Sequence, residues 1–216
     1  MERERDYYKI LIVGSSGKGK TDMFRNMDPD STGFINVEDK PLPFKNTFKY
    51  HKRVTNYQEV ISVLIDYAKN PEIKSIVIDS FSAYMDSVLS EARKTKRGFD
   101  IWSQYNEEIA KFHQLIKKIN KEVFVTGHYE ILDVEGSSEK RIKVHGKENE
   151  GQVEKHYTIV LYADNKYDEN GKAEYFLTCG APGLSAKCPR DLFEGNPTKI
   201  QNDGKYILDN VIKFAA

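Results

Sequence analysis

The sequence predicts an α/β fold with a mostly parallel central sheet, flanked by helices and completed by antiparallel hairpins toward the C-terminus. Two observations predict it. An apolar run at residues 9–13 leads directly into a glycine-rich segment, and apolar runs then alternate with segments of helical spacing over the first two thirds of the chain. Such alternation is typical of a parallel sheet covered on both sides, in which ligands gather at the carboxyl ends of the strands.

The glycine-rich segment, residues 14–21, matches the pattern G-x-x-x-x-G-K-[ST] of a phosphate-binding loop. Its glycines permit backbone dihedral angles that other residues avoid, so that successive N–H groups can converge on an anion. Lys20 can reach the β- and γ-phosphates of a nucleotide, and the Thr21 hydroxyl can ligate Mg²⁺. A helix over residues 21–27 is predicted to follow. The predicted nucleotide-binding residues are Gly14, Ser15, Ser16, Gly17, Lys18, Gly19, Lys20 and Thr21.

The composition indicates a globular protein that can bury a substantial core. The 216 residues include 33 Lys plus Arg and 33 Asp plus Glu, so nucleic-acid binding would require a local basic patch. We expect one domain over residues 1–216, a cytoplasmic location and no membrane contact, because no signal-peptide core or membrane-length apolar run is present. Cys179 and Cys188 lack partners at zinc-ligand spacing and are predicted to be free thiols.

The remaining elements follow from apolar periodicity and from turn residues. The predicted order is a strand at 33–37, a helix at 56–68, a strand at 73–78, helices at 81–92 and 101–119, a strand at 123–126, a hairpin at 131–144 with its turn at 135–139, a hairpin of strands 157–163 and 173–178, and a helix at 206–214. Asn56 is the predicted N-cap of its helix. Asn170 and Gly171 are typical of the turn in a hairpin.

Three of the predicted parallel strands end in a polar residue, namely Glu38, Asp79 and His128, so these residues should share one edge of the sheet. Asp79 is the predicted second Mg²⁺ ligand beside Thr21. Glu38 is expected on a strand beside that of the loop, where it would orient and polarise the attacking water. His128 is a candidate sensor of the γ-phosphate. The alternatives are that Asp79 caps the following helix, that Glu38 is an acidic residue in a surface turn, and that His128 has a structural role.

At these positions the sequence resembles a known family. Residues 34–38, followed by a proline-containing turn, resemble the strand that delivers the catalytic glutamate in RecA-type recombinases, and residues 76–80 resemble their Walker B strand. Residues 151–161 resemble the short helix and strand after the second DNA loop of that family. The chain is similar to the short, core-only RecA-like proteins of phages, of the Sak4 type. The resemblance implies a RecA-like P-loop NTPase core that binds and hydrolyses ATP with Mg²⁺, binds single-stranded DNA, and promotes annealing or strand pairing.

The same resemblance implies two DNA loops and an assembly. The first loop, residues 93–98, offers Arg93, Lys94, Lys96 and Arg97; the second, residues 129–151, offers Tyr129, Lys140, Arg141, Lys143 and Lys147. Self-association into a ring or filament is expected, with Lys187 and Arg190 as candidates for a cation supplied to a neighbouring subunit, and a single-strand-binding protein is a candidate partner. We expect neither the N-terminal polymerisation element nor the C-terminal domain of bacterial RecA. The alternative for every one of these cations is an ordinary solvated surface.

Two other functions fit the same loop and aspartate. A small-molecule P-loop kinase would use residues 93–97 as an arginine-bearing lid, and a non-hydrolysing module would let nucleotide binding control DNA binding. Turnover of ATP with single-stranded DNA, compared with turnover with a panel of nucleosides and nucleotides, separates these possibilities.

Overall fold

The fold is organised around a central sheet. The structure is a computed structural model that describes residues 5–134 and 136–216. Its strands are β1 (Lys9–Val13), β2 (Thr32–Asn36), β3 (Tyr50–Arg53), β4 (Ser75–Asp79), β5 (Glu122–Gly127), β6 (Tyr129–Val134), β7 (Ser137–Ile142), β8 (Ile159–Tyr167), β9 (Ala173–Thr178) and β10 (Lys199–Gln201). In the described chain, eight of them form one sheet in the order β10-β9-β8-β1-β5-β4-β2-β3.

The pairing within this sheet confirms the predicted fold class. From β8 to β3 every neighbouring pair of strands is parallel, whereas β9 is antiparallel to both β8 and β10. Strands β6 and β7 form a separate antiparallel hairpin. The predicted turn of that hairpin includes Glu135, which lies outside the described residues. Two short strands, β3 and β10, were not predicted.

The α-helices of the described chain are α1 (Tyr57–Lys69), α2 (Phe81–Thr95), α3 (Phe99–Lys118) and α4 (Gly204–Ala215). The predicted cap of α1 is confirmed, because the Asn56 side chain accepts hydrogen bonds from the backbone N–H groups of Gln58 and Glu59. None of the helices in the part of the chain described combines the length and hydrophobicity that a bilayer crossing requires.

A helix follows the phosphate-binding loop within the predicted range, but it is shorter than expected and is not an α-helix. Residues Asp22–Asn26 form only a short 3₁₀ helix, and Met27 already has an extended backbone with a ψ of 149°. The reason is local: Pro29 disfavours a helical conformation of the residue before it, and the Asp28 side chain accepts hydrogen bonds from the next turn. The dipole of a long helix is therefore absent at this loop of the described structure.

The two faces of the sheet bury different layers. Side chains alternate along β1, so that Leu11 and Val13 pack with α1, α2 and α3, whereas Ile10 and Ile12 pack with α4 and the 3₁₀ helix. All four side chains are fully buried, as a central parallel strand requires. The strand that precedes the phosphate-binding loop is therefore held rigidly from both sides.

Helices α2 and α3 form an antiparallel pair that projects beyond the carboxyl edge of the sheet. Phe81, at the start of α2, packs against Phe112 with ring centroids 5.0 Å apart, and Thr95, at its end, hydrogen-bonds Gln104. Helix α2 begins at the carboxyl end of β4, and α3 ends beside the start of β5 at the opposite edge. The link between the helices therefore stands roughly 20 Å from Phe81, at 1.5 Å per residue.

The order of the strands corrects one expectation about Glu38. Its strand, β2, was expected beside the loop strand β1, but β5 and β4 lie between them. Hydrophobic patterning identifies parallel strands without giving their order in the sheet. Glu38 thus approaches the phosphate-binding loop from across the sheet edge rather than from the neighbouring strand.

Candidate nucleotide-binding site

A cavity of about 440 Å³ lies at the carboxyl ends of the parallel strands, a volume within the usual range for small-molecule sites. It is lined by Ser16, Gly17, Gly19, Lys20, Thr21, Asp22, Glu38, Lys40, Pro43, His128 and Tyr175. The structure therefore brings residues of the loop together with two of the three polar strand ends predicted from the sequence. The third, Asp79, lies directly beneath Thr21.

Lys20 is folded back onto its own loop. Its ammonium donates hydrogen bonds to the carbonyl oxygens of Gly14, at 2.8 Å, and Ser15, at 2.9 Å. The side chain is buried, and burial is the main reason that the pKa of Lys20 lies below its ordinary value. Gly14 is required at the base of the loop, because a Cβ there would lie 2.9 Å from the carbonyl oxygen of Ala163. The lysine is thus held next to the place where the loop would cradle a phosphate.

Lys18 points to the other side of the loop. Its ammonium forms an ion pair with Asp164 at 2.6 Å and a hydrogen bond with the Asn165 side chain, both on β8. Together with Ser15 and Tyr129 it lines a smaller, more enclosed cavity of about 40 Å³. The predicted loop residues therefore divide into those that line the large cavity and those that attach the loop to β8.

Thr21 and Asp79 form the candidate metal site. The Thr21 hydroxyl donates a hydrogen bond to Asp79 Oδ2 at 2.7 Å, and Thr126, on the intervening strand β5, donates to Asp79 Oδ1. Asp79 is only 4% exposed, and burial raises the pKa of its carboxyl group above the ordinary value in spite of these bonds. A cation would stabilise this buried carboxylate. Mg²⁺ commonly uses one or two protein oxygens beside waters and phosphates, so the donor set fits it.

Glu38 is a half-buried carboxylate with defined partners on both oxygens. Oε1 accepts a hydrogen bond from the Ser80 hydroxyl at 3.0 Å, and Oε2 lies 3.2 Å from the Lys40 ammonium. His128 Nε2 stands 3.8 Å from Oε1. Burial alone would raise the pKa of Glu38, but the hydrogen bonds from Lys40 and Ser80 outweigh it, so that the net shift is downward. Glu38 is therefore ionised at neutral pH.

His128 joins the cavity to the separate hairpin. Its backbone N–H donates a hydrogen bond to the Ser82 hydroxyl at 3.0 Å, and its carbonyl oxygen accepts one from the N–H of Lys143 at 2.8 Å. Burial and then the nearby Lys20 charge lower the pKa of His128 below its ordinary value. The side chain is accordingly neutral at pH 7.

Tyr175 was missed by the sequence analysis, since it lies on β9, far along the chain from the loop. Gly19 has a φ of +79°, and a Cβ there would lie 2.9 Å from the Tyr175 ring and closer still to the Asn202 amide nitrogen. Asn202 donates a hydrogen bond to the Gly19 carbonyl oxygen. The ring is 40% exposed and forms part of the cavity wall. A flat aromatic surface is thus available beside the loop.

The first predicted DNA segment lies at the tip of the α2–α3 pair. Arg93, Lys94, Lys96 and Arg97 are all exposed there. Lys94 pairs with Glu91, and the Arg97 guanidinium donates to the carbonyl oxygens of Arg93 and Lys96. This segment projects from the carboxyl edge of the sheet and does not line the cavity.

The second predicted DNA segment includes the β6–β7 hairpin and the residues after it. The Lys140 ammonium lies over the Tyr129 ring, 4.8 Å from its centroid, and Arg141 forms an ion pair with Glu139 at 2.9 Å. Lys143 is exposed, and Lys147 lies in a short 3₁₀ helix, Lys147–Asn149. Contacts of the residues after β7 with the helix pair, including His145 with Asp86 at 2.6 Å, place both basic segments at one end of the molecule.

The two candidate trans cations lie away from the large cavity. Lys187 is exposed, and its backbone forms both hydrogen bonds of an isolated antiparallel bridge to Val160 on β8. Arg190 lines a second cavity, of about 330 Å³, together with Cys179 and Cys188. Both cysteines are free thiols, as predicted.

The sheet and the site together define a class of protein. A G-x-x-x-x-G-K-T loop follows β1, and an aspartate ends β4, with one further strand between them. This arrangement is that of a P-loop NTPase domain with a RecA-like fold.

Comparison with known proteins gives the family. The chain belongs to the AAA domain family, whose model matches residues 6–189. Among solved structures, the chain is similar to a KaiC-like protein of the hyperthermophilic archaeon Pyrococcus horikoshii OT3, with 16% identity and a TM-score of 0.48 over 79% of this chain and 77% of that one. No curated protein sequence matches the chain. The family match confirms the predicted P-loop ATPase domain, and the narrower resemblance to phage annealing proteins stays a prediction.

Proposed function

We propose that this protein is a Mg²⁺-dependent ATPase of phage-type DNA recombination, which binds single-stranded DNA and promotes annealing or strand pairing. The observation that carries the enzymatic part is the position of Glu38. Its ionised carboxylate lines the cavity that Lys20 also lines, while Asp79 and Thr21 form the candidate metal site. A carboxylate that is independent of the metal site is what water activation requires.

Each residue of the site would have a separate role in hydrolysis. Loop N–H groups and Lys20 would hold the β- and γ-phosphates, and Glu38 would accept the proton of a water that attacks the γ-phosphorus. His128 would donate a hydrogen bond to the γ-phosphate. Thr21 and Asp79 would hold Mg²⁺, which neutralises phosphate charge when bound. The products are ADP and inorganic phosphate.

A continuous set of contacts supports coupling to DNA. His128 lies at the cavity, its carbonyl oxygen is bonded to Lys143, and Lys143 follows the hairpin that carries Lys140 and Arg141. The exposed cations at the tip of α2 and α3 lie at the same end of the molecule. Lysines and arginines bind phosphates without regard to sequence, and the ring of Tyr129 can stack on a base. A nucleotide-dependent shift of His128 would therefore move a DNA-binding hairpin.

Assembly belongs to the same proposal. A ring or filament would place Lys187 and Arg190 of one subunit near the nucleotide of the next, and a single-strand-binding protein would present the DNA. The position of both cations outside their own cavity supports a role between subunits.

Two substitutions test the enzymatic part. Lys20→Ala should abolish nucleotide binding, measured with a fluorescent ATP analogue, whereas Glu38→Gln should bind the analogue normally and lose phosphate release. Lys45→Ala, at an exposed lysine that does not line the cavity, is the control and should hydrolyse ATP normally. Normal hydrolysis by Glu38→Gln would overturn the proposed mechanism.

The DNA part is tested by ATP hydrolysis and single-stranded DNA binding at several salt concentrations. Affinity should fall steeply with salt, and Lys96→Glu or Lys143→Glu should reduce the salt slope by about one unit each, whereas Lys213→Glu on α4 should not. ATP-dependent DNA affinity without phosphate release would instead indicate a nucleotide-gated binding module. Transfer of phosphate to a nucleoside or nucleotide would indicate a kinase.

A further inference from the structure

Lys40 is a cation in the candidate nucleotide site for which the reaction above has no task. We propose that Lys40 is a catalytic residue that binds the γ-phosphate of the nucleotide in its own subunit and, by leaving Glu38, frees one oxygen of the base. This inference rests on the proposed function, because it assigns a further residue to the same hydrolysis. It would give the transferred phosphoryl group a stabilising cation from its own subunit, in addition to those proposed from a neighbouring one.

The backbone conformation around Lys40 places this residue at the cavity. The carbonyl oxygen of Lys40 accepts a hydrogen bond of 2.7 Å from the side chain of Asn36, which is 2% exposed at the end of β2. Asp39, between Glu38 and Lys40, has a φ of +53°, in the left-handed region. This turn lies between Glu38 and Lys40, which both line the cavity.

The side chain of Lys40 is free to change partner. It is 75% exposed, and the partner of its ammonium in the described chain is Glu38 Oε2, in an ion pair of 3.2 Å. Solvent-exposed ion pairs of this kind contribute little to stability, so little is lost when this one is broken. A γ-phosphate carries more charge than a carboxylate and is therefore the stronger partner for the ammonium.

The charges around the cavity favour the same exchange. Lys40 acts electrostatically on Lys20 from the loop and on His128 from the end of β5, as well as on Glu38. These groups surround the space in which the terminal phosphate would lie. A cation in this cavity lining stands close enough to contribute when negative charge develops on the phosphoryl oxygens.

The exchange would also control the base. With Lys40 in place, Oε1 of Glu38 accepts from Ser80 and Oε2 accepts from Lys40, so both oxygens are engaged. When the ammonium moves to the γ-phosphate, Oε2 becomes free to take the proton of the attacking water. The water oxygen then bonds to the γ-phosphorus, the bond to the bridging oxygen breaks, and ADP leaves with that electron pair. No further reactant is needed.

The test compares Lys40→Ala and Lys40→Arg with wild type and with Lys45→Ala, an exposed lysine of the same connection, as control. For Lys40→Ala we expect kcat to fall about 10²- to 10³-fold, the effect of removing one charge-stabilising donor, while affinity for a non-hydrolysable ATP analogue changes less than about tenfold. Lys40→Arg should keep kcat within about tenfold of wild type. Hydrolysis by Lys40→Ala at the wild-type rate would overturn the inference, and the Glu38→Gln result would still decide the proposed function.

A mixing experiment tests whether Lys40 acts within its own subunit. Lys40→Ala and Lys20→Ala chains are combined at equal concentrations and assayed with ATP and single-stranded DNA. If Lys40 serves its own site, the mixture should show no more activity than the sum of its parts. Recovery of activity in the mixture would mean that an intact Lys40 from the Lys20→Ala chain serves a neighbour, and it would overturn the assignment in its own subunit.

Discussion

The side chain of Asn202 donates a hydrogen bond to the carbonyl oxygen of Gly19 at 3.1 Å, and so ties the phosphate-binding loop to the segment between β10 and α4. This contact joins residues that are far apart in the sequence. It also leaves Asn202 Oδ1 buried without a partner in the described structure. The loop is therefore braced from the antiparallel side of the sheet as well as from β1.

The two glycines of the loop with positive φ should respond differently to alanine. Gly17 has a φ of +76°, and no atom of the described chain lies within 4 Å of the position that a Cβ would take, so Gly17→Ala should destabilise by about 1–2 kcal/mol from backbone strain alone. Gly19→Ala carries the same strain and also clashes with Asn202 and Tyr175. We expect a larger loss of stability for Gly19→Ala in urea unfolding; equal losses would contradict the close packing at Gly19.

The exposed ring of Tyr175 should stack on the nucleobase. We expect Tyr175→Ala to weaken ATP binding about tenfold, since base stacking on an aromatic ring is worth about 1–3 kcal/mol, and Tyr175→Phe to bind normally. Calorimetric titration with ATP and with inorganic triphosphate checks this. The triphosphate lacks a base, so its affinity should be the same for wild type and Tyr175→Ala.

Loss of the Thr126 hydroxyl should reduce the free energy of unfolding more than loss of a hydroxyl from a buried pair of neutral groups. Thr126→Val removes a donor from the buried Asp79 carboxylate and should cost about 1–3 kcal/mol in free energy of unfolding. Thr32→Val is the matched control, because its hydroxyl only faces Ser75 at 3.4 Å. Chemical unfolding of both variants provides the comparison, and a greater loss at Thr32 would count against the role given to Thr126.

His113 should make the protein sensitive to acid. This residue is 3% exposed, its ring stacks on His156, and burial lowers its pKa to about 3. The unfolded chain binds a proton near pH 6.5 and the folded chain does not, so stability is full above pH 6.5 and decreases as the pH falls toward 3. The loss at pH 5 should be about 2 kcal/mol.

Urea unfolding at pH 7 and pH 5, on wild type and His113→Gln, measures this effect. The variant should be less stable at pH 7 because a buried ring is lost, but most of the difference in stability between the two pH values should disappear. An unchanged pH dependence in His113→Gln would assign acid sensitivity to other groups.

Much of the fold could be predicted from the sequence because strong local patterns determine it. The buried runs of β1, β4 and β5, the cap at Asn56 and the turn before β9 act over a few residues, and all appear in the structure. The short edge strand β3, with the sequence Tyr-His-Lys-Arg, has no such apolar pattern. It forms because β2 offers an unpaired edge, which is a tertiary effect.

The site shows the same difference between residues identified by local patterns and residues placed by tertiary structure. The loop motif and the polar residues at strand ends identified Lys20, Asp79, Glu38 and His128 as candidates, because parallel strands end at one edge. The sequence analysis missed residues that reach the site from elsewhere, such as Tyr175 on β9, and residues that act on another side chain, such as Ser80. Lys40 was missed because its position depends on the left-handed turn at Asp39.

The strand order affects the width of the candidate nucleotide site. Three inter-strand steps, each about 4.8 Å, separate β1 from β2, so the backbones of these two strands stand roughly 14 Å apart. Had the two strands been adjacent, as the sequence predicted, their backbones would lie only about 5 Å apart. The interposed strands β5 and β4 thus widen the candidate nucleotide site.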